Sequence, residues 1–206
     1  MKLLAFASAP IAAVLFVASA AAATIPLGAI LSPANEVPPT ASTGSGTAIL
    51  DLDPIAHTLR VRVEFSGLVP TTPAGAPSGT TAAHVHCCLP SAFATGVNAG
   101  VATTTPTFAN FPLGVLAGTY DNTLDLLSAS AYNPAFVTSV GGLANAEMTL
   151  INGLLGGLTY LNVHTTAFTG GEIRGFVVQI PEPDAYALLL AGLAVIGIAM
   201  RKRRRT

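Results

Sequence analysis

The sequence predicts a mainly β protein, an antiparallel Greek-key β-sandwich with one short helix, and three observations predict it. Short runs of alternating apolar and polar residues recur, as in Thr47 to Asp53, Leu59 to Phe65 and Tyr160 to His164. A period of two marks a strand with one buried face. Links rich in Gly, Pro, Ser and Thr, such as Thr71 to Thr81, separate these runs and carry no helical or strand period. One window, Leu143 to Leu155, has helical spacing in Leu143, Met148, Ile151, Leu154 and Leu155, and Gly156-Gly157 supplies a left-handed cap.

In chain order, Ile25 to Val37 reads as an extended segment ending at Pro38-Pro39, where paired prolines remove ladder donors. Ser42 to Gly46 is a link. Ala48, Leu50 and Leu52 then share one face, and Leu59, Val61, Val63 and Phe65 alternate against Arg60, Arg62 and Glu64. The two runs form a hairpin around Asp53-Pro54-Ile55-Ala56, with His57 a solvated residue of the turn. Ala82 to Cys88 is a short strand, and Cys88 to Asn110 is turn-rich and irregular. Tyr120 to Leu127 and Ala131 to Val137 are ambiguous apolar runs; Asn133-Pro134 marks a turn between them or a helix start. After the helix comes the Tyr160 strand, a turn at Thr169-Gly170-Gly171, and a strand from Glu172. These elements suit a sandwich of immunoglobulin-like or superoxide-dismutase-like Greek-key type.

The two ends are not part of that domain. Lys2, an apolar run from Leu3 to Val17 and the small residues Ala21-Ala22-Ala23 form the pattern of a secretory signal peptide over residues 1–23, with Thr24 the expected mature start. At the other end, Pro181-Glu182-Pro183 precedes an apolar run from Ala185 to Met200 and a basic end, Arg201-Lys202-Arg203-Arg204-Arg205. Sixteen helical residues span about 24 Å, a marginal length for a transmembrane helix. The basic cluster is the side that stays in the cytoplasm, so the rest of the chain is expected across the membrane. With both ends set aside, residues 24–180 hold three basic residues, Arg60, Arg62 and Arg174, against eight acidic ones, a net charge of −5. That balance excludes a basic nucleic-acid footprint.

Three motifs in order carry a family resemblance: Asn35-Glu36-Val37-Pro38-Pro39, Ala82-Ala83-His84-Val85-His86, and Asn162-Val163-His164-Thr165 followed by Gly170-Gly171-Glu172-Ile173-Arg174-Gly175. Together they resemble the CHRD domain, named for chordin, across about Ile30 to Ile180. The tail, with Ile180 where the family usually has Val, resembles the PEP-CTERM sorting signal of bacteria, which an exosortase-type protease is thought to recognise and remove. The resemblance implies an exported protein, anchored in the inner membrane with its domain in the periplasm and then released to the envelope or exterior. It also implies a place in a biofilm matrix, with an unidentified matrix component as partner.

The residues that could carry chemistry are few. His84 and His86 lie two apart on one strand and share a face, and His164 is the natural third ligand for Zn or Cu if the two strands pair with these faces aligned. The favoured alternative is structural: histidines bonded to one another, to Thr165 and to Glu172 or Arg174. Cys87-Cys88 admits a vicinal disulfide, a thiolate extension of the His84/His86 site, or intermolecular bridges, and an oxidising compartment favours the first. Glu172 and Arg174 read as a structural ion pair on one strand face. No G-x-S-x-G, phosphate-binding loop or carboxylate pair for acid–base work is present, so catalysis is not expected. The expected role is a non-catalytic envelope or matrix module; the rival is a Zn or Cu metalloprotein built on the H-x-H strand, with redox activity open to it.

Overall fold

The computed structural model describes residues 24–181, 189–194, 196 and 200–201. The expected signal peptide, together with Glu182, Pro183 and Lys202 to Arg205, lies outside the described residues. The described residues of the tail beyond Pro181 are helical. Among the described residues, no helix is long and apolar enough to cross a membrane.

Eight strands form two antiparallel sheets. β1 (Ile25–Leu31), β2 (Ser45–Asp53), β3 (Thr58–Ser66), β5 (Gly118–Asp125) and the short β8 (Val178–Gln179) make the first, in the order β5-β3-β2-β1-β8. β4 (Thr80–Cys87), β6 (Thr159–Thr165) and β7 (Ile173–Phe176) make the second, in the order β4-β6-β7. β8 returns beside β1 after the chain has visited the second sheet, which completes a Greek-key connection spread over both layers.

Alternation explains the first sheet. Leu50 pairs with Val61 and Leu52 with Leu59, all facing inward. Arg62 on β3 reaches Asp51 on β2, and Arg60 reaches Asp121 on β5, each at 2.6 Å across the exposed face. Such exposed pairs are screened by water and set register more than stability. The second sheet differs: β4 and β6 are buried on both faces. Ala83, Val85, Leu161, Val163 and Ile173 meet the core, while the opposite face is polar and is covered by the irregular segments around residues 33–40 and 95–106.

Asn133-Pro134 proves to be a helix start. The Asn133 Oδ1 accepts from the Ala135 N–H at 3.0 Å, and Pro134 opens α1 (Pro134–Ser139). α2 runs Leu143–Leu155 as the spacing predicts, with Gly157 supplying the left-handed residue at φ 69°. Of the five residues that set the spacing, Leu154 is buried and Leu143, Ile151 and Leu155 pack against the core, while Met148 is exposed; Ala146, Leu150 and Gly153 complete the buried face. The small Gly153 faces the core because the Cys87 and Cys88 sulfurs lie there, at 2.6 and 3.2 Å from where a Cβ would stand. His57, half exposed in the β2–β3 turn, is tethered to α2 through Glu147 Oε1 at 2.5 Å.

β1 joins the layers. It pairs with β8 in the first sheet, and Ser32, just beyond its end, exchanges two backbone hydrogen bonds with Arg174 on β7, at 3.0 and 3.2 Å. At this crossing Gly175 passes so close to β1 that a Cβ would overlap the Ile30 carbonyl. Backbone cannot yield there as a side chain would, so Gly175→Ala is expected to destabilise the domain by about 3 kcal/mol, read as a lower denaturant midpoint in urea.

Candidate metal centre

The polar face of the second sheet is built by register. On β4, His84 and His86 project together; on β6, Asn162 stands opposite His84, Tyr160 opposite His86, and His164 two residues further along. The ligand-capable nitrogens of His84, His86 and His164 all lie within 4.8 Å of one another. The faces therefore align as the metal reading requires.

Each imidazole is anchored by one backbone carbonyl. His84 Nε2 lies 2.7 Å from the Pro106 oxygen, His86 Nδ1 2.9 Å from that of Ala99, and His164 Nδ1 2.9 Å from that of Thr169. A carbonyl only accepts, so each of these nitrogens carries the ring's N–H. In a neutral ring the other nitrogen is then a bare lone pair. Those lone pairs belong to His84 Nδ1, His86 Nε2 and His164 Nε2. His84 Nδ1 and His164 Nε2 face each other at 3.3 Å, acceptor against acceptor, and His86 Nε2 is buried with no partner.

A proton does not resolve this arrangement. Burial pushes the pKa of His84 and of His86 down to about 4, against the opposing pull of the Pro106 and Ala99 carbonyls. His164 is lowered by burial as well. The rings are neutral at physiological pH, and one ring nitrogen from each histidine lies within 4.8 Å of the others. Carbonyl-anchored histidines of fixed tautomer are the usual surroundings of a metal ligand set.

Around the histidines lies a second cluster. The Tyr160 ring stacks on His86 with centroids 4.6 Å apart and an interplanar angle of 11°, and the Arg174 guanidinium lies 4.5 Å from the Tyr160 centroid. Arg174, 1% exposed, donates to the Asn35 oxygen, to Asn98 Oδ1 at 2.8 Å and to the Val97 oxygen at 3.3 Å, and its Nε is 3.9 Å from Glu36 Oε2. Burial raises the Glu36 pKa to about 7, outweighing the attraction of Arg174. Glu36 Oε1 and Asn162 Oδ1 have no hydrogen-bond partner.

Two expectations are corrected. The ion pair of Arg174 is with Glu36, not Glu172. Glu172 precedes β7, where the turn through Gly171 directs its carboxylate away, to accept from Ser42 Oγ, the Val69 N–H and Thr165 Oγ1. Nor do the histidines bond to Thr165, Glu172 or Arg174, since Thr165 and Glu172 take each other and Arg174 serves the loops. Cys87 and Cys88 form a vicinal disulfide packed under α2. Cys87 follows His86 by one residue and so faces the opposite side of β4. Sequence reasoning did not place Glu36, Tyr160 and Asn162 at this site, although Tyr160, Asn162 and His164 share one strand face by period.

Two outcomes follow. Alkylation without reductant is expected to leave the protein's mass unchanged, and two labelled thiols would contradict the disulfide. In the metal-free protein, the unfolded chain takes up protons at His84 and His86 below their ordinary pKa of 6.5, before the folded chain does. Stability is therefore expected to fall as pH drops from 6.5 toward 4. Glu36 acts oppositely, its contribution being lost as pH rises from 4.5 through about 7, but one carboxyl opposes two rings. Urea midpoints across this range check the slope, and the double variant His84→Gln, His86→Gln is expected to flatten it.

A CHRD domain profile matches residues 27–177. The PEP-CTERM protein-sorting motif matches residues 179–205, which marks the chain for export and for membrane-associated sorting by an exosortase. No curated protein matches the chain. With the matched segment covering most of the sequence, the chain belongs to the CHRD domain family.

Proposed function

We propose that this protein works outside the cytosol as an envelope or extracellular-matrix module that holds one Zn or Cu ion on His84, His86 and His164. The observation that carries the reading is the grouping of three neutral imidazoles, one nitrogen of each within 4.8 Å of the others and each ring fixed by a backbone carbonyl. Nitrogen donors of this kind suit Zn and Cu, and thiolate softness is not needed. The structural alternative leaves two acceptors facing each other at 3.3 Å and a third buried without a partner, an arrangement with a cost and no return.

The remainder of the reading concerns placement. Residues 1–23 act as the signal peptide, residues 24–180 form the exported domain, and the apolar run at 185–200 anchors it in the inner membrane with the basic end inside. An exosortase-type protease then acts at the Pro181 motif and frees the sandwich toward a matrix component. The net charge of −5 on the domain suits a metal-holding module better than an anion-binding one.

Elemental analysis of protein purified from its own envelope is expected to give one Zn or Cu per chain. His84→Ala, His86→Ala and His164→Ala should each remove it. Removing the ion with a chelator should lower Tm, because free metal at a hundredfold over Kd contributes about 2.7 kcal/mol to the folded state. A folded protein that takes up neither metal refutes the reading.

A further inference from the structure

Three protein donors leave a metal ion incomplete. Closed structural zinc sites have four, and sites with three keep a position for water or another small ligand. Among the described residues, the donor group consists of His84, His86 and His164, with no fourth His, Cys, Asp or Glu in it. Cys87 and Cys88 are bonded to each other and packed against Gly153 of α2, so they do not complete the set.

A further polar side chain on this sheet face is Asn162. It is 1% exposed and directly opposite His84 in register, so its side chain shares the polar face with the three imidazoles. Its amide nitrogen lies beside Gly171, as does the Glu36 carboxyl. A Cβ on Gly171 would stand 2.8 Å from Asn162 Nδ2 and 2.6 Å from Glu36 Oε1, so the glycine leaves the amide and carboxyl facing one small space. Asn162 Oδ1 has no partner. Glu36 and Gly171 also line a surface cleft of about 260 Å³, which brings small solutes to within one side chain of the amide.

We propose that the metal ion on His84, His86 and His164 carries one exchangeable ligand, a water molecule or a small anion, and that Asn162 Oδ1 accepts a hydrogen bond from the water. The inference rests on the metal reading above. One metal–water unit accounts for three otherwise unexplained features: the facing nitrogens of His84 and His164, the unpartnered His86 Nε2, and the unpartnered Asn162 Oδ1. Asn162 is a positioning residue here. An acceptor at that place favours water, which donates a hydrogen bond, over an anion such as azide, which only accepts.

The test uses full-length protein loaded with Co(II), whose visible bands report coordination, and titrates it with azide. The expected result is a saturable spectral change as azide replaces water. Asn162→Ala should bind azide about tenfold more tightly, the equivalent of one hydrogen bond to water lost, while retaining one Co(II) per chain. Asn162→Asp should bind azide more weakly than the unmodified protein. Retained Co(II) stoichiometry shows that each variant keeps its fold at the site. A protein that binds one Co(II) but gives no response to azide overturns this inference and leaves the metal reading standing. Failure to bind Co(II) at all overturns the metal reading itself, and equal azide affinity in all three proteins removes Asn162 from the role.

Discussion

A guanidinium buried on a sheet face is the constraint around which the site is arranged. Arg174 is 1% exposed, and a buried charge is tolerated only where partners replace the water it has lost. Those partners come from two separate segments: Asn35 and Glu36 from the loop after β1, and Val97 and Asn98 from the long connection after β4. Satisfying Arg174 draws both segments over the polar face of the second sheet. Two irregular stretches with no ladder of their own thus acquire a fixed position.

That covering changes the chemistry beneath it. The segment that supplies Val97 and Asn98 continues to Ala99, whose carbonyl holds His86 and whose N–H and oxygen meet the Tyr160 hydroxyl at 3.2 and 3.3 Å. Tyr160 lies between the His86 ring and the guanidinium, so cation–π attraction and ring stacking tie the charge to the histidine cluster. Exclusion of water keeps the imidazoles neutral, which is the state in which they bind metal. The same dry environment holds the Glu36 carboxyl near half-protonation at neutral pH.

Much of the scaffold was legible from the residues. The alternation of Leu59, Val61, Val63 and Phe65 against charged neighbours located β3 and its hairpin partner, and the spacing through Leu155 located α2. The inward place of Gly153 on α2 was not legible, because the reason for it is a disulfide on another element: the glycine leaves room for two sulfurs. The histidine triad could be read as a candidate from H-x-H and His164, but its tautomers could not, since the Pro106, Ala99 and Thr169 carbonyls that set them carry no side-chain signal. The Glu172–Arg174 pairing misled for a related reason. Period-two logic holds within a strand, and Glu172 sits one residue before β7, in a turn that the ladder does not govern.

The end of the sandwich has its own consequence. β8 is two residues long, and the Ile180 N–H still bonds to the Pro26 oxygen at 2.9 Å, one residue before the proline that opens the sorting motif. Both departures of the chain from the globule, at the head of β1 and the foot of β8, are thus neighbours on one rim, with no slack between folded body and tail. The sorting motif therefore begins one residue beyond a hydrogen bond to β1, at the edge of the folded domain itself.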